Sequence, residues 1–156
     1  MQRDYILRII EQVGQFLSRV IQQRENHAPQ EALQSVMAGC ERLFGLEAVQ
    51  LFQFTPDQHV AMLTEGETSE NARNKILIYA SLCAEAGKCY ALLGQPRVAH
   101  ASFLTALRLA LKAHLLQPAD DWPDYAPSLS ELLSLLGDEP LDAETAELLA
   151  SARPTS

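Results

Sequence analysis

The side chains that could support metal binding or nucleophilic chemistry are scattered along this sequence. The chain has seven histidines and cysteines, and none of them forms a Cys-x-x-Cys or His-Glu-x-x-His motif: His27, His59, His100, His114, Cys40, Cys83 and Cys89. A transition-metal site needs three or four such ligands, usually supplied as closely spaced pairs. His100 and His114 fall near one face of a predicted helix, but at fourteen residues apart they are too distant to share a metal. We therefore predict no metal site and no cofactor.

Carboxylates and thiols also lack the spacing of a catalytic or ion-binding motif. Asp120, Asp121 and Asp124 lack the alternating oxygen ligands and the final Glu of a calcium loop. We interpret their segment, PADDWPDYAP, as a solvated acidic loop whose aromatic residues, Trp and Tyr, pin it onto the helices. Cys83 and Cys89 have no cluster of cations beside them that would favour the thiolate. We predict no catalytic residue, which favours a binding protein over an enzyme.

The charge distribution limits the class of partner. The 156-residue chain has a net charge of −8, and all of the excess lies in residues 113–156, where one Arg stands against nine Asp and Glu. An acidic surface repels phosphate backbones and anionic lipid headgroups. We therefore expect neither nucleic acid nor a membrane as partner.

The N-terminus and the cysteines indicate the compartment. Charges interrupt the opening MQRDYILRIIEQVGQF, so we expect no signal peptide, and no apolar run is long enough to cross a membrane. An odd number of cysteines without paired spacing is typical of reduced thiols. Together these features predict a cytoplasmic protein.

Apolar periodicity predicts the fold class. Apolar residues make up 47% of the chain and recur at helical spacing, so we predict an all-α fold of antiparallel helical hairpins, as an array or a bundle. The predicted single domain, 1–156, has N-terminal helices in about 1–66, a hairpin in 69–116 and an acidic hairpin in 127–152. The ambiguous stretch LEAVQLFQF is interpreted as helical because its surroundings are helical.

Capping residues and helix breakers mark the predicted helix ends. Capping boxes are predicted at Thr55–Gln58 and at Ser128–Glu131, and Asp142 is a predicted N-cap. Further predicted boundaries are Pro29, Gly45, Gly94–Pro96 and Gly137. These signals together divide the chain into short, connected helices.

The segment CAEAGKCYALLGQPRVAHASFLTAL, residues 83–107, places small and aromatic residues at fixed intervals. Counted from Ala80, small residues fall at positions 8, 20 and 27 and aromatic residues at positions 11 and 24: Gly87, Ala99, Ala106, Tyr90 and Phe103. This resembles one tetratricopeptide unit. Three positions depart from the pattern, because Cys83, Ala86 and Leu111 stand where Trp, Leu and Pro are usual. An unrelated hairpin with the same packing chemistry stays open as the alternative.

A wider resemblance adds a source. The opening RDYILRIIEQVGQFLSRVI, the middle ERLFGL and this hairpin are together similar to a family of small uncharacterised bacterial proteins. Members begin with Asp-Tyr-Ile-Leu-Arg and carry a tetratricopeptide-like second half, and the similarity extends to about residue 116. The resemblance implies a bacterial origin and an all-helical fold, and it implies no activity.

The tetratricopeptide resemblance also implies a binding face. In such hairpins the first helix lines a concave groove, and here the candidate groove consists of Ser81, Ala84, Lys88, Ala91 and Leu92. This face has small, apolar residues and one cation. It differs from the tetratricopeptide proteins that bind a peptide's C-terminal carboxylate with a cluster of cations, because Lys88 stands alone and the carboxylate of Glu85 beside it would repel such a ligand. The competing interpretation is that the first helix of the chain covers this face and leaves no groove.

The first predicted helix carries nine large apolar residues on one stripe between Tyr5 and Ile21. Two explanations stay open. The stripe packs against the hairpin of its own chain, or part of it packs across a two-fold axis in a homodimer. The candidate dimer face consists of Ile6, Ile9, Val13, Phe16 and Val20.

These observations favour a non-catalytic protein- or peptide-binding scaffold in a bacterial cytoplasm. Two alternatives are kept, a structural homo-oligomer assembled through the first helix and a small-ligand sensor or enzyme with a helical pocket. An open groove with few charges would favour the scaffold, and a pocket of clustered ionisable groups would favour the enzyme.

Overall fold

The computed structural model describes residues 2–44, 55–117 and 122–152, and all regular structure within these ranges is α-helical. The predicted all-α fold is therefore confirmed, while the helix expected in LEAVQLFQF and the stop at Gly45 lie outside the described residues. The described helices are α1 (Gln2–Glu25), α2 (Pro29–Phe44), α3 (Pro56–Thr64), α4 (Ser69–Leu92), α5 (Pro96–Leu116), α6 (Leu129–Leu136) and α7 (Ala143–Ala152).

Helix α4 lies at the centre of the fold. It forms a hairpin with α5, and this pair makes the most extensive contact between any two described helices. The α1–α2 hairpin packs against α4, α3 contacts both α4 and α5, and α6 and α7 pack on α5. The fully buried side chains of α4 include Ile76, Leu77, Ile78 and Leu82. A helix with neighbours on most sides buries side chains around its circumference, and this one buries apolar side chains together with a few polar ones.

The α4–α5 hairpin brings together the small and aromatic residues of the fixed-interval pattern. Gly87 lies beneath the ring of Phe103, and Ala99 and Ala106 are buried. Gly94 follows α4 with φ of +76°, a conformation that glycine adopts without strain. Its N–H donates to the carbonyl of Ala91 at 3.2 Å and ends the helix. Small residues thus occupy positions of close helix approach.

The predicted caps are confirmed at two helices and incomplete at a third. The Thr55 hydroxyl accepts from the Gln58 N–H and the Gln58 side chain accepts from the Thr55 N–H, which is a complete capping box. Asp142 caps α7 by accepting from the backbone of Thr145 at 3.4 Å. Ser128 accepts from the backbone N–H of Glu131 at 3.1 Å, but the Glu131 carboxylate binds Lys88 on α4. The second capping box was therefore half wrong, because a distant cation bound the carboxylate.

Helix α1 directs much of its apolar stripe into the interior of its own chain. Ile9, Val13 and Val20 of the candidate dimer face are buried, and half-buried Phe16 packs its ring over Gly39 of α2. The side chain of Ile6 lies outside the described residues. The structure thus uses these buried residues for packing within the chain, the first of the two explanations of the stripe. Within the described ranges, no helix is both long and apolar enough to span a lipid bilayer.

Candidate functional site: a cleft beside the central helix

A cleft of about 710 Å³ opens beside α4, and this volume falls within the roughly 300–1,000 Å³ typical of ligand-binding clefts. Its floor is a face of α4 with Ser81, Ala84, Glu85 and Lys88. One wall belongs to α1 and the other to the loop before α6 together with Glu131. The residues of these walls are Ile10, Gly14, Leu17, Ser18, Ile21, Pro123, Asp124, Tyr125, Ala126, Pro127 and Glu131.

The loop wall is held in place by its two aromatic residues, as the sequence predicted. The Tyr125 hydroxyl donates to the side-chain oxygen of Asn74 on α4 at 2.7 Å, which fixes the loop to the central helix. The indole N–H of Trp122 donates to the carbonyl of Pro127 at 3.0 Å and closes the loop on itself. The Trp122 ring also lies 6.2 Å from the ring of His114 on α5. These contacts preorganise the wall.

An ion-pair network crosses the floor of the cleft and joins three helices. The buried carboxylate of Glu85 accepts from Arg24 of α1 at 3.1 Å and from Lys88 at 3.3 Å. Lys88 also donates to Glu131 of α6 at 2.9 Å. Since the Glu85 side chain is 8% exposed, it needs these cations to offset the loss of hydration. The network therefore links both α1 and α6 to α4.

The structure brings part of the candidate groove into this cleft. Ser81, Ala84 and Lys88 form its floor together with Glu85. Ala91 and Leu92 are exposed near the end of α4 and do not line the cleft, and Leu92 is 60% exposed. Ser81 and Ala84 are buried at the floor, so α1 and the loop cover much of this face and Lys88 is its more accessible residue.

Sequence reasoning missed the two walls of the cleft. Residues such as Leu17 of α1 and Pro123 of the loop are 64 and 42 residues from Ser81 in the sequence, and no local pattern connects them. The sequence interpretation assigned Glu85 a single role, that of opposing the binding of a carboxylate. In the fold Glu85 is the centre of the ion network, because Arg24 reaches it from a separate helix. A carboxylate on an otherwise apolar helix face was the signal that a cation must lie opposite.

A second, smaller cavity of about 230 Å³ lies on another side of α4, among α2, α3 and α5. Cys40, Cys83, His59 and Tyr79 line one part of it. The Tyr79 hydroxyl lies 3.4 Å from Nε2 of His59, and the two ring centroids are 4.8 Å apart. His59 and Tyr79 are both buried, so this pair belongs to the core.

The three cysteines are free thiols in environments that disfavour the thiolate. Burial raises the pKa of the Cys40 thiol to about 12. Burial and then the neighbouring Cys40 raise the pKa of Cys83 as well. Burial raises the pKa of Cys89 to about 11, with a further contribution from the carboxylate of Glu85. Thiols in this state are poor nucleophiles at neutral pH.

The other candidate ligands stay apart. Among the described residues, no three His, Cys, Asp or Glu side chains are grouped so that they could hold a metal ion. His100 pairs with Glu139 at 3.2 Å near the surface, and His114 stands beside Trp122. Of the acidic loop, Asp124 is described and is exposed, while 120–121 lie outside the described residues.

Comparison with models of protein families, with curated proteins and with solved structures gave no match to this chain.

Proposed function

We propose that this protein is a non-catalytic binding module that holds a peptide segment of another protein in the cleft beside α4. The observation that carries the proposal is a cleft whose floor includes Ser81, Ala84 and Lys88 and whose loop wall is held in place by hydrogen bonds. This is the helix face that binds partners in tetratricopeptide hairpins, to which the sequence bears a resemblance. The cleft is open along one side, which suits a chain segment that enters and leaves it.

The chemistry of the walls supports a peptide as the occupant. Ile10, Leu17 and Ile21 of α1 offer aliphatic surface, and Pro123 and Pro127 offer rigid apolar surface opposite. Burial of apolar side chains between such walls supplies about 25 cal/mol per Å². Because the loop is already held by hydrogen bonds, binding requires little ordering of the loop itself.

The arrangement of ionisable groups supports binding rather than catalysis. Glu85 and Glu131 both pair with Lys88 in the ion network. The thiols nearest to the cleft and the second cavity have raised pKa values and lack nucleophilic character at neutral pH. Three free thiols support a reducing cytoplasm as the compartment, and the sequence resemblance supports a bacterial source.

Gly14 allows a direct test, because it lines the cleft and nothing lies within 4 Å of a Cβ built on it. Gly14→Trp should fill the cleft without disturbing the fold, while Gly14→Ala should leave the cleft open. Random linear peptides displayed on phage are selected on the wild-type full-length protein. We expect the enriched peptides to bind wild type and Gly14→Ala equally and to lose at least about tenfold in affinity on Gly14→Trp.

Two results would overturn the proposal. One is a selection that enriches no peptide above an empty surface. The other is a set of peptides that bind Gly14→Trp as well as wild type, because their site would then lie elsewhere. Circular dichroism melts of both variants test whether the fold is intact. With an intact fold, a loss of binding reports on the cleft.

A further inference from the structure

The residues that line the cleft carry more negative than positive charge. Three carboxylates line it, from Glu85, Asp124 and Glu131, against the single ammonium group of Lys88. Glu85 is shared between Arg24 and Lys88, and Lys88 is shared between Glu85 and Glu131. The positive charge of Lys88 is thus already matched, and the uncompensated charge of the lining is negative.

The negative charge is accessible at the rim. The Glu131 side chain is 44% exposed, and a carboxylate with one hydrogen bond from Lys88 keeps further acceptor sites. Asp124 is exposed on the loop wall and has no Lys or Arg partner within the described ranges. A cation entering between α1 and the loop would meet both carboxylates before it reached the floor. An anion would meet the same two groups as repulsion.

Two prolines limit the backbone that the loop wall can offer to a partner. Pro123 and Pro127 have no N–H group, and the carbonyls of both already accept hydrogen bonds, from Ala126 at 3.1 Å and from Trp122 at 3.0 Å. Helices α1 and α4 satisfy their own backbones. An incoming peptide therefore finds no strand edge to extend, and its side chains must supply the recognition.

From this geometry we infer that the occupant of the cleft is a basic peptide segment, with Lys or Arg flanking large aliphatic residues. The inference rests on the proposed function and names the partner class for the same site. The aliphatic residues lie between α1 and the prolines of the loop. The Lys or Arg side chain lies at the rim, against Glu131 and Asp124, where it completes the charge balance of the lining. A peptide that binds through its C-terminal carboxylate is the wrong partner for this cleft.

The experiment compares charge variants of the protein with charge variants of the peptide. The most strongly enriched peptide from the phage selection is synthesised with a fluorescent label, together with a twin in which each Lys and Arg is replaced by Gln. Binding is followed by fluorescence polarisation to wild type, Asp124→Asn and Glu131→Gln. Glu147→Gln is the matched control, because Glu147 is exposed on α7 and does not line the cleft.

We expect a selected consensus rich in Lys or Arg and aliphatic residues, with weaker binding at high salt. Asp124→Asn and Glu131→Gln should each weaken binding roughly two- to fivefold, as expected for partly exposed ion pairs, and Glu147→Gln should leave it unchanged. The Gln twin should bind wild type and both cleft variants alike.

Three results would overturn the inference. An acidic or uncharged consensus that still depends on the cleft would leave the proposed function standing and remove the basic partner. An equal effect of Glu147→Gln would mean that overall charge, and not the rim, attracts the peptide. A selection without any cleft-dependent peptide would remove both the inference and the proposed function.

Discussion

The ring of Phe103 occupies the place where a side chain on Gly87 would begin. A Cβ built on Gly87 would lie 2.5 Å from Cε1 and 2.7 Å from Cδ1 of Phe103, far inside van der Waals contact. Phe103 is buried, so its ring has little room to move away. Helices α4 and α5 are therefore joined by a contact that only glycine permits at this position.

Substitution at Gly87 should destabilise the hairpin. Gly87→Leu should lower the free energy of unfolding by about 1–3 kcal/mol, because the added atoms displace Phe103 and overpack the contact. Ala99→Leu should have a similar effect, since Ala99 is 3% exposed at the start of α5. Urea denaturation monitored by circular dichroism measures both changes. Wild-type stability in both variants would show that the helices do not approach closely here.

Gly14 supplies the matched control for this prediction. It lies in a helix like Gly87, but a Cβ there meets no atom within 4 Å. Gly14→Ala should therefore stabilise the protein by about 0.5–1 kcal/mol through helix propensity alone. Gly87→Ala should lack this gain or reverse it. Equal gains at both positions would contradict the role of Phe103.

The helix ends were predictable from local signals in the sequence, whereas the cleft depends on contacts between residues far apart in the chain. The Thr55–Gln58 box, the Asp142 cap and the turn at Gly94 were predictable because each depends on residues a few positions apart. The contact of Gly87 with Phe103 was accessible through the spacing of one hairpin. The bond from Lys88 to Glu131 spans 43 residues, and the same Glu131 also suited a local cap. Sequence alone could not decide between two partners of one carboxylate.

The pair between Arg24 and Glu85 should stabilise the packing of α1 on α4. A double-mutant cycle with Arg24→Met and Glu85→Gln should give a coupling free energy of about 1–2 kcal/mol, between the values of exposed and buried ion pairs. The single change Arg24→Met should be the milder one, because Lys88 still compensates Glu85. Urea denaturation of all four proteins measures the cycle. A coupling near zero would show that the two side chains do not act as a pair.

Alkaline pH should destabilise the protein through its buried thiols. An unfolded thiol has a pKa of about 8.5, whereas burial raises that of Cys40 to about 12 and that of Cys89 to about 11. The stabilisation from a raised pKa is present below about pH 8.5 and is lost as the pH rises toward the folded value. Each such thiol should contribute a slope of up to about 1.4 kcal/mol per pH unit.

The cysteine contribution to this slope can be isolated by substitution. Cys40→Ala removes one thiol, so its free energy of unfolding should fall less steeply between about pH 9 and 11 than that of wild type. Chemical denaturation at a series of pH values gives both slopes. Identical slopes would mean that Cys40 ionises in the folded state as readily as in the unfolded state.

The hydrogen bond from Tyr125 to Asn74 should hold the loop wall of the cleft. Tyr125→Phe removes the donor and should lower the free energy of unfolding by about 0.5–1.5 kcal/mol. It should also alter the fluorescence of Trp122, which closes the same loop. Ser134→Ala, at an exposed residue of α6, is a control for changes near the loop. An unchanged Trp122 spectrum and unchanged stability would show that the loop is held by other contacts.

The apolar stripe of α1 should belong to the monomer's own core. Ile9 is 5% exposed, while Leu7, two residues earlier, is 52% exposed. The same substitution should therefore cost much stability at Ile9 and little at Leu7. Ile9→Glu buries a carboxylate and should lower the free energy of unfolding by more than about 4 kcal/mol, whereas Leu7→Glu should change it by less than about 0.5 kcal/mol. Multi-angle light scattering of wild type and both variants reports their oligomeric state. If wild type is a dimer and Ile9→Glu yields a folded monomer, the face is intermolecular and the assignment to the core is wrong.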